Sequence, residues 1–170
     1  MKWDPSQAEW IKSKIDLFAG LQKDTLIYFS DLFEKKALPI LPRIRKGINH
    51  NDANDYNVLV SLDVSDPHVP GVIDFGDLVY THSINELAIA IAYAAMDKPD
   101  PLEAACHLVR GFNAELKITE DELEVLFPLI TARLLISVTC AELNRIEHPE
   151  NEYLQISDRP AWDLLKKLKN

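Results

Sequence analysis

One short segment, residues 47–80, interrupts a chain of 170 residues whose apolar positions otherwise follow helical spacing. Apolar residues at intervals of three and four on both sides of it are typical of amphipathic helices that share a core. Inside the segment, two short runs rich in β-branched residues, Val58–Val60 and Val69–Ile73, flank the turn-forming stretch Asp63–His68 and predict a hairpin. The sequence therefore predicts a mainly α fold with one small β-hairpin.

We expect residues 1–170 to form a single domain, because neither a flexible linker nor an internal repeat divides the sequence. Residues 1–46 are predicted to be a helical lead-in, residues 47–80 to carry the hairpin and its two flanking loops, and residues 81–170 to form a helical subdomain. We refer to residues 47–80 as the motif segment. Gly20 is predicted to end the first helix, and Pro128 to kink or split a long helix that begins after Thr119.

Composition excludes some classes of partner. The net charge is −9, so a basic stripe that could neutralise phosphates is not expected, and nucleic acid is an unfavoured partner. No apolar run approaches the ~20 residues of a membrane span, and we expect no membrane partner. The first residues lack the apolar stretch of a secretion signal, and Cys106 and Cys140 lie in helical patterns typical of buried, reduced thiols. These features favour a cytoplasmic protein.

Oxygen-bearing side chains flank both runs of the predicted hairpin. Asp52 and Asn57 precede the first run, and Asp74 follows the second. Because a hairpin brings its two ends together, we expect these three side chains to lie close to one another. Carboxylate and amide oxygens are ligands that Mg²⁺ accepts alongside water and substrate phosphates. The alternative is that these residues only form turns and caps, as Asp and Asn do routinely.

The two motifs together resemble a known family. His50-Asn51-Asp52 through Asn57, followed by the run Ile73-Asp74-Phe75-Gly76-Asp77, is similar to the paired motifs of the aminoglycoside and choline phosphotransferases. The similar stretches, at 49–60, 71–80, 86–90 and 157–162, also resemble a kinase-like domain fused to class III aminotransferases in some bacterial proteins, and hydroxylysine kinases. The resemblance implies the C-terminal lobe of a protein-kinase-like α+β fold.

The resemblance also implies roles for individual residues. Asp52 is expected to be the catalytic residue, which accepts or orients the proton of the substrate hydroxyl. Asn57 and Asp74 are expected to hold the magnesium ions that bridge the phosphates of ATP, so that Mg²⁺ and ATP are the implied cofactor and co-substrate. His50 is expected to support the loop. The family pattern usually has glycine where Asn51 stands.

Candidate substrate contacts follow from the same resemblance. Acidic and aromatic groups near the loop would meet a cationic amino alcohol, and the candidates are Asp55, Asp77, Tyr80 and Glu86. Each has a purely structural alternative, since the acidic residues could cap or pair locally and the tyrosine could pack at a loop edge. Farther along the chain, Arg133 and Glu142 lie within one apolar helix and are predicted to form an internal ion pair.

The N-terminal lobe of the resembling enzymes has no counterpart in the sequence. Only Gly20 and Gly47 precede His50, so a glycine-rich nucleotide-covering loop is not expected. We therefore expect a kinase lobe that phosphorylates a hydroxyl of an amino alcohol or hydroxylated amino acid, inactive by itself. Its predicted partners are the small-molecule substrate, an N-terminal lobe or fused aminotransferase domain, and a second copy through an exposed apolar face. The alternatives are a non-catalytic pseudo-kinase or docking module and, ranked last, a metal-dependent hydrolase.

Overall fold

A computed structural model describes residues 2–149 and 158–169 of the chain. Its α-helices are α1 (Gly20–Lys36), α2 (Ile84–Ala95), α3 (Pro101–Glu115), α4 (Glu120–Glu147) and α5 (Asp158–Lys169). Its strands are β1 (Lys46–Asn49), β2 (Val58–Leu59), β3 (Gly71–Val72) and β4 (Val79–His82). 3₁₀ helices cover Pro5–Leu17, which is kinked at Gln7, Leu41–Arg43 and Phe75–Asp77. Ser157, at the start of one stretch of family resemblance, lies outside the described residues, as does Met1.

The motif segment folds as two nested strand pairs. The inner pair is the predicted hairpin, in which β2 and β3 run antiparallel with Val58 opposite Val72. The outer pair is β1 with β4, also antiparallel, with Asn49 opposite Val79. Two loops connect the outer pair to the inner pair: the first loop is residues 50–57 and the second loop is residues 73–78. Because both loops leave the same outer pair and enter the same inner pair, the nesting sets them side by side.

The predicted hairpin is confirmed, and its turn is held by short polar side chains. The Ser61 hydroxyl donates to the carbonyls of Asp63 and Asp66, and the Ser61 amide donates to the carbonyl of His68. The Asp63 carboxylate accepts from the amide and hydroxyl of Ser65, which also lowers the pKa of this carboxyl. The turn therefore follows from the Asp and Ser residues that suggested it.

Strand β4 was not anticipated, since the sequence interpretation ran directly from Tyr80 into helix. Its four residues are too few to show a clear alternation, and its pairing depends on β1, more than 30 residues earlier in the chain. The outer pair is further joined by the Asn49 side chain, whose amide donates to the carbonyl of His82 at 2.8 Å. This pair anchors both ends of the motif segment to the helical body.

The helical body is organised around α4, which packs against α1, α2, α5 and the 3₁₀ helix Pro5–Leu17. Its middle turns are buried on all sides, as a helix at the centre of a bundle should be. The helix begins with the predicted capping box, in which the Thr119 hydroxyl accepts from the Glu122 amide and the Glu122 carboxylate accepts from the Thr119 amide. It continues through Pro128 without splitting, contrary to one of the two expected outcomes.

Helix α4 also corrects the expectation about membrane spans. Among the described residues it is the one helix that is long and apolar enough to cross a membrane by length and composition, with a mean hydropathy of 1.8 over its best window. Polar residues such as Thr131 and Arg133 divide the apolar residues of this helix into shorter runs, and for that reason the sequence did not show a run of this length. Of that window, 83% is buried inside the fold, as for the core helix of a bundle.

Two further expectations need correction. Gly20 does not end a helix: it is the first residue of α1 and has a φ of +54°, which glycine adopts without steric strain. Cys106 was expected to be buried, but it lies on an exposed face of α3, a helix that contains no buried residue. Cys140 is buried in α4 as expected, and burial raises the pKa of its thiol.

Candidate active site

The two loops are joined directly through Ile73, the first residue of the second loop. Its amide donates to the carbonyl of Asn57 at 2.9 Å, and its carbonyl accepts from Nε2 of His50 at 2.8 Å. The His50 ring also meets the Phe75 ring edge-on, with 5.0 Å between centroids. His50 therefore holds the second loop against the first, which agrees with the supporting role that the resemblance implies.

Asp52 presents a carboxylate that is held through both of its oxygens. Oδ2 accepts from the side-chain amides of Asn57 at 2.9 Å and Asn54 at 3.0 Å. Oδ1 accepts from the guanidinium of Arg133 at 3.1 Å. The side chain of Asp52 is 24% exposed, so the carboxylate remains accessible from solvent. Asp52 and Asn57, predicted to lie close together, are in direct contact.

The amide of Asn57 is oriented by its two acceptors. Its Nδ2 donates to Oδ2 of Asp52 and to the backbone carbonyl of Asp52, at 2.9 and 3.0 Å. Because both partners can only accept, the nitrogen must point toward Asp52 and the amide oxygen must point elsewhere. Asn57 thus keeps an oxygen available as a ligand for a hard cation such as Mg²⁺.

Asp74 lies at the start of the second loop in the left-handed backbone region, with a φ of +62°. Its carboxylate caps the 3₁₀ turn Phe75–Asp77 by accepting from the Gly76 amide at 3.3 Å. A Cβ atom on Gly76 would lie only 3.2 Å from Oδ1 of Asp74. Glycine at this position therefore avoids crowding the Asp74 carboxylate. The backbone bond between Ile73 and Asn57 brings the start of the second loop beside Asn57. That the Asp74 side chain also lies close to those of Asp52 and Asn57 stays a prediction.

These residues fit a magnesium site of the kind that substrate completes. Among residues 2–149 and 158–169, no cluster of three or more His, Cys, Asp or Glu could hold a metal ion by itself. The amide oxygen of Asn57 and the carboxylate of Asp74 are hard ligands, and Mg²⁺ commonly takes one or two protein ligands together with water and phosphate oxygens. The donor set therefore suits an ion that arrives with a nucleotide.

The backbone at Asn51 explains the departure from the family pattern. Asn51 is fully buried and has a φ of +67°, a conformation that glycine and asparagine adopt more readily than other residues. Its backbone amide donates to Oε2 of Glu86 at 3.1 Å. The first turn of α2 therefore supports the first loop. The bond gives Glu86 a supporting role that the sequence interpretation had not assigned.

The remaining substrate candidates lie around the two loops. Asp55 is exposed in the first loop, and Asp77 is half-buried at the end of the 3₁₀ turn. Tyr80 lies on β4 opposite Ile48, with 70% of its surface exposed. Their roles toward a substrate stay predictions, as does that of Glu86.

Arg133 was assigned the wrong partner by the sequence interpretation. Its guanidinium bonds to Asp52, whereas Glu142 pairs with Arg145 on the same helix. Residues 133 and 142 are separated by about two and a half turns, so they face opposite sides of α4 and cannot meet. A lone arginine in the apolar middle of a helix was the available signal, because a buried charge requires a partner. The spacing along one helix could not identify that partner.

The fold and the site together define the class of the protein. A mainly helical lobe carries a nested pair of loops, one with Asp52 and Asn57 and the other with Asp74, in the manner of the C-terminal lobe of a kinase-like phosphotransferase. The chain belongs to the phosphotransferase enzyme family, whose model matches residues 4–120. This confirms the family and fold class that the sequence motifs indicated.

Comparison with curated proteins gives relatives within this family. The chain is 34% identical over 143 residues to the hydroxylysine kinase of Mus musculus, a match that covers 81% of this chain and 38% of the relative. It is 37% identical over 144 residues to the hydroxylysine kinase of Xenopus laevis, covering 80% of this chain and 38% of the relative. The chain thus spans well under half the length of these relatives. No solved structure matches it significantly.

Proposed function

We propose that this chain supplies the catalytic lobe of an ATP- and Mg²⁺-dependent small-molecule kinase. The acceptor is a hydroxyl group of a hydroxylated amino acid or amino alcohol, a class suggested by the hydroxylysine kinases among its relatives. The observation that carries the proposal is the Asp52 carboxylate, held by Asn57 beside the loop of Asp74 yet open to solvent. This arrangement supplies the base and the hard oxygen ligands that phosphoryl transfer requires.

The division of labour within the site follows from its hydrogen bonds. A carboxylate has about four lone-pair positions. Two donors occupy Oδ2 of Asp52, and Arg133 occupies one position on Oδ1. The remaining position on Oδ1 is where Asp52 accepts the hydroxyl of the acceptor and orients its oxygen for attack. Asn57 keeps Asp52 in this orientation through its Nδ2.

Asn57 and Asp74 would hold magnesium through the amide oxygen and the carboxylate. Bound there, the ion supplies charge neutralisation for the phosphate groups of ATP. Gly76 contributes by leaving space beside the Asp74 carboxylate. Among the substrate candidates, Asp55 and Tyr80 are exposed close to the loops and suit contacts with a cationic amine, by charge and by cation–π attraction.

We propose further that another protein unit completes the nucleotide cleft, either an N-terminal lobe or a fused domain. The support is an exposed apolar surface on the motif segment. A monomer seldom leaves a large apolar surface in contact with water. The most exposed members of this surface are Ile48, Tyr56, Val60, Leu62, Val64 and Tyr80. The same surface favours the alternative of a docking module without catalysis, and self-association through it remains a further proposal.

The test compares this chain with the longest reading frame that contains it. Each is assayed for ATP-dependent phosphorylation of hydroxylysine, ethanolamine and choline, with Mg²⁺ present. We expect turnover from the longer form and weak nucleotide binding, measured by calorimetry, from residues 1–170 alone. In the active form, Asp52→Asn should lower kcat by about 10²–10⁴-fold, the usual contribution of a general base.

The matched control is Asp66→Asn, which removes a carboxylate in the exposed hairpin turn and should leave kcat unchanged. Equal rates for Asp52→Asn and the unmodified protein would refute the assignment of the base. Absence of phosphorylation with all three acceptors, together with absence of Mg²⁺-ATP binding, would favour the docking module. Tight nucleotide binding by residues 1–170 alone would contradict the proposed partner unit.

A further inference from the structure

Arg133 lies in the buried middle of α4 and is only 2% exposed. Its Nη2 donates to Oδ1 of Asp52 at 3.1 Å and to the Tyr93 hydroxyl at 2.8 Å, and its Nη1 donates to the backbone carbonyl of Trp3 at 3.0 Å. The guanidinium also lies against the rings of Trp3 and Tyr93, at 5.1 and 5.3 Å from their centroids. Three residues from separate parts of the chain, Trp3, Asp52 and Tyr93, therefore meet at one cation.

The stability of the fold does not account for this arginine. Moving a charge into a buried position costs several kcal/mol in effect, and an apolar residue of similar size is often equally stabilising. Asp52 is the one carboxylate that pairs with Arg133 among the described residues, and the other partners are a carbonyl and a hydroxyl. The buried charge of Arg133 is therefore explained by its pairing with Asp52.

The geometry points to a specific role, and this inference rests on the proposed function. We infer that Arg133 is a positioning residue for Asp52: it fixes the rotation of the carboxylate so that the free lone pair of Oδ1 faces the acceptor hydroxyl. Asn54 and Asn57 hold Oδ2 from the loop itself, but two donors on one oxygen leave the other oxygen free to swing. Arg133 holds Oδ1 from the helical body, so the loop and the body together define one orientation.

The aromatic rings make the position of the guanidinium precise. Trp3 and Tyr93 contact it by cation–π attraction, and each also offers it an oxygen. Arginine is suited to this environment because its planar fork can serve several acceptors at once while stacking on a ring. A lysine ammonium could reach Asp52 or the other acceptors but not all of them in the same geometry.

The first experiment measures this orientation without any assay of activity. In ¹H–¹⁵N spectra, the side-chain amide signals of Asn54 and Asn57 report on their bonds to Oδ2 of Asp52. We expect Arg133→Met to shift or broaden both signals. The control, Arg145→Met on the same helix, removes an exposed ion pair with Glu142 and Asp158 and should leave them unchanged.

The reciprocal measurement guards against loss of folding in Arg133→Met. The Nε–H group of Arg133 is buried, so its signal should be observable in the folded protein, and Asp52→Asn should shift it. If Asp52→Asn leaves that signal unchanged, or if a folded Arg133→Met leaves both asparagine signals unchanged, the positioning role is refuted. Neither result depends on whether the chain phosphorylates anything.

The second experiment separates positioning from general destabilisation by kinetics in the active form. We expect Arg133→Met to lower kcat on the order of 100-fold, as a displacement of about 1 Å can do, with KM for ATP unchanged. Arg133→Lys should recover part of kcat. In an Asp52→Asn background, Arg133→Met should cause no further loss, because Arg133 acts through Asp52.

Losses that multiply in the double variant would overturn the inference while leaving the proposed function intact. If the unmodified protein phosphorylates none of the acceptors, the proposed function fails instead, and the asparagine and arginine signals still decide whether Arg133 positions Asp52.

Discussion

Asn51 shows how a departure from a family pattern can be physically conservative. Its φ of +67° disfavours residues other than glycine and asparagine. Its side-chain amide is buried with no hydrogen-bond partner among the described residues. We expect Asn51→Gly to fold normally and Asn51→Ala to be less stable than Asn51→Gly by about 1 kcal/mol, because alanine meets the steric cost of the left-handed region. Urea unfolding of the two variants measures the difference.

A neighbouring position offers the control for this comparison. Ala53 has no positive φ, so Ala53→Gly should destabilise the chain by increasing the entropy of the unfolded state. Glycine would thus have opposite effects at two positions of one loop. Equal stability of the two Asn51 variants would show that the backbone there relaxes to an ordinary conformation.

Residue identities predicted the loop that carries the candidate base but not the groups that surround it. Asp52 and Asn57 could be found from their order and spacing, because the loop is local in sequence. Arg133 and Tyr93 could not, since the bond from Arg133 to Asp52 and the bond from Arg133 to Tyr93 depend on how α2 and α4 pack against each other and against the loop. A pattern along one helix identifies which face is apolar, whereas the partner of a single buried charge is a property of the tertiary structure.

Among the elements, the first turn of α4 is bonded to the residue that leads into β1. Glu122 is 1% exposed and accepts two hydrogen bonds from Arg45, at 2.7 and 3.0 Å, in addition to its part in the capping box. Arg45 immediately precedes β1, and it also donates to the carbonyl of Lys117 at 2.6 Å. This pair therefore fixes the start of the nested strands against the helical body.

Removing the bonds between Arg45 and Glu122 should lower the free energy of unfolding more than removing the N-cap bond of α4 alone. We expect Thr119→Ala to destabilise the chain by about 1 kcal/mol, the usual value of an N-cap bond. Glu122→Ala should destabilise it by about 2–3 kcal/mol, because it removes its part of the capping box and a charge-assisted pair and leaves Arg45 without a carboxylate partner. Chemical denaturation monitored by circular dichroism gives both values.

An exposed ion pair on the same turn provides the comparison. Arg43 pairs with Asp121 at 3.1 Å, with side chains 59% and 42% exposed. Such a pair contributes little, so Arg43→Ala should change the free energy of unfolding by less than about 1 kcal/mol. If Arg43→Ala costs as much as Glu122→Ala, burial is not what makes the Arg45–Glu122 pair important.

For the chain taken together, sequence patterns predicted the helical body and the inner hairpin because both depend on neighbours close in sequence. The sequence allowed a short strand at residues 48–50, but β4 and its pairing with β1 escaped prediction, because the two strands are separated by the whole inner hairpin and both loops. This outer pair is nevertheless what sets the two loops side by side. It also buries His82, at the junction of β4 with the helical body.

His82 predicts how the stability of the folded chain depends on pH. Burial lowers the pKa of its imidazole, Lys46 lowers it further, and the Leu41 carbonyl and Asp4 oppose the shift. Below the ordinary histidine pKa of about 6.5, the unfolded chain binds a proton at His82 that the folded chain does not yet bind. Stability should therefore fall as the pH falls from about 6.5 toward the lowered folded-state pKa, by up to about 1.4 kcal/mol per pH unit.

The measurement is urea unfolding between pH 7.5 and 5.5, with His82→Gln and His68→Gln compared with the unmodified chain. His68 lies in the hairpin turn with 54% of its side chain exposed, so His68→Gln is the matched control that replaces a solvent-exposed imidazole. His82→Gln should remove the contribution of one proton from this dependence. Because each variant replaces one histidine, the two variants keep the same formal net charge of −9 and the same number of histidines. Parallel curves for the three proteins would mean that His82 gains its proton as readily in the folded chain as in the unfolded one, and that the outer strand pair leaves its ring open to water.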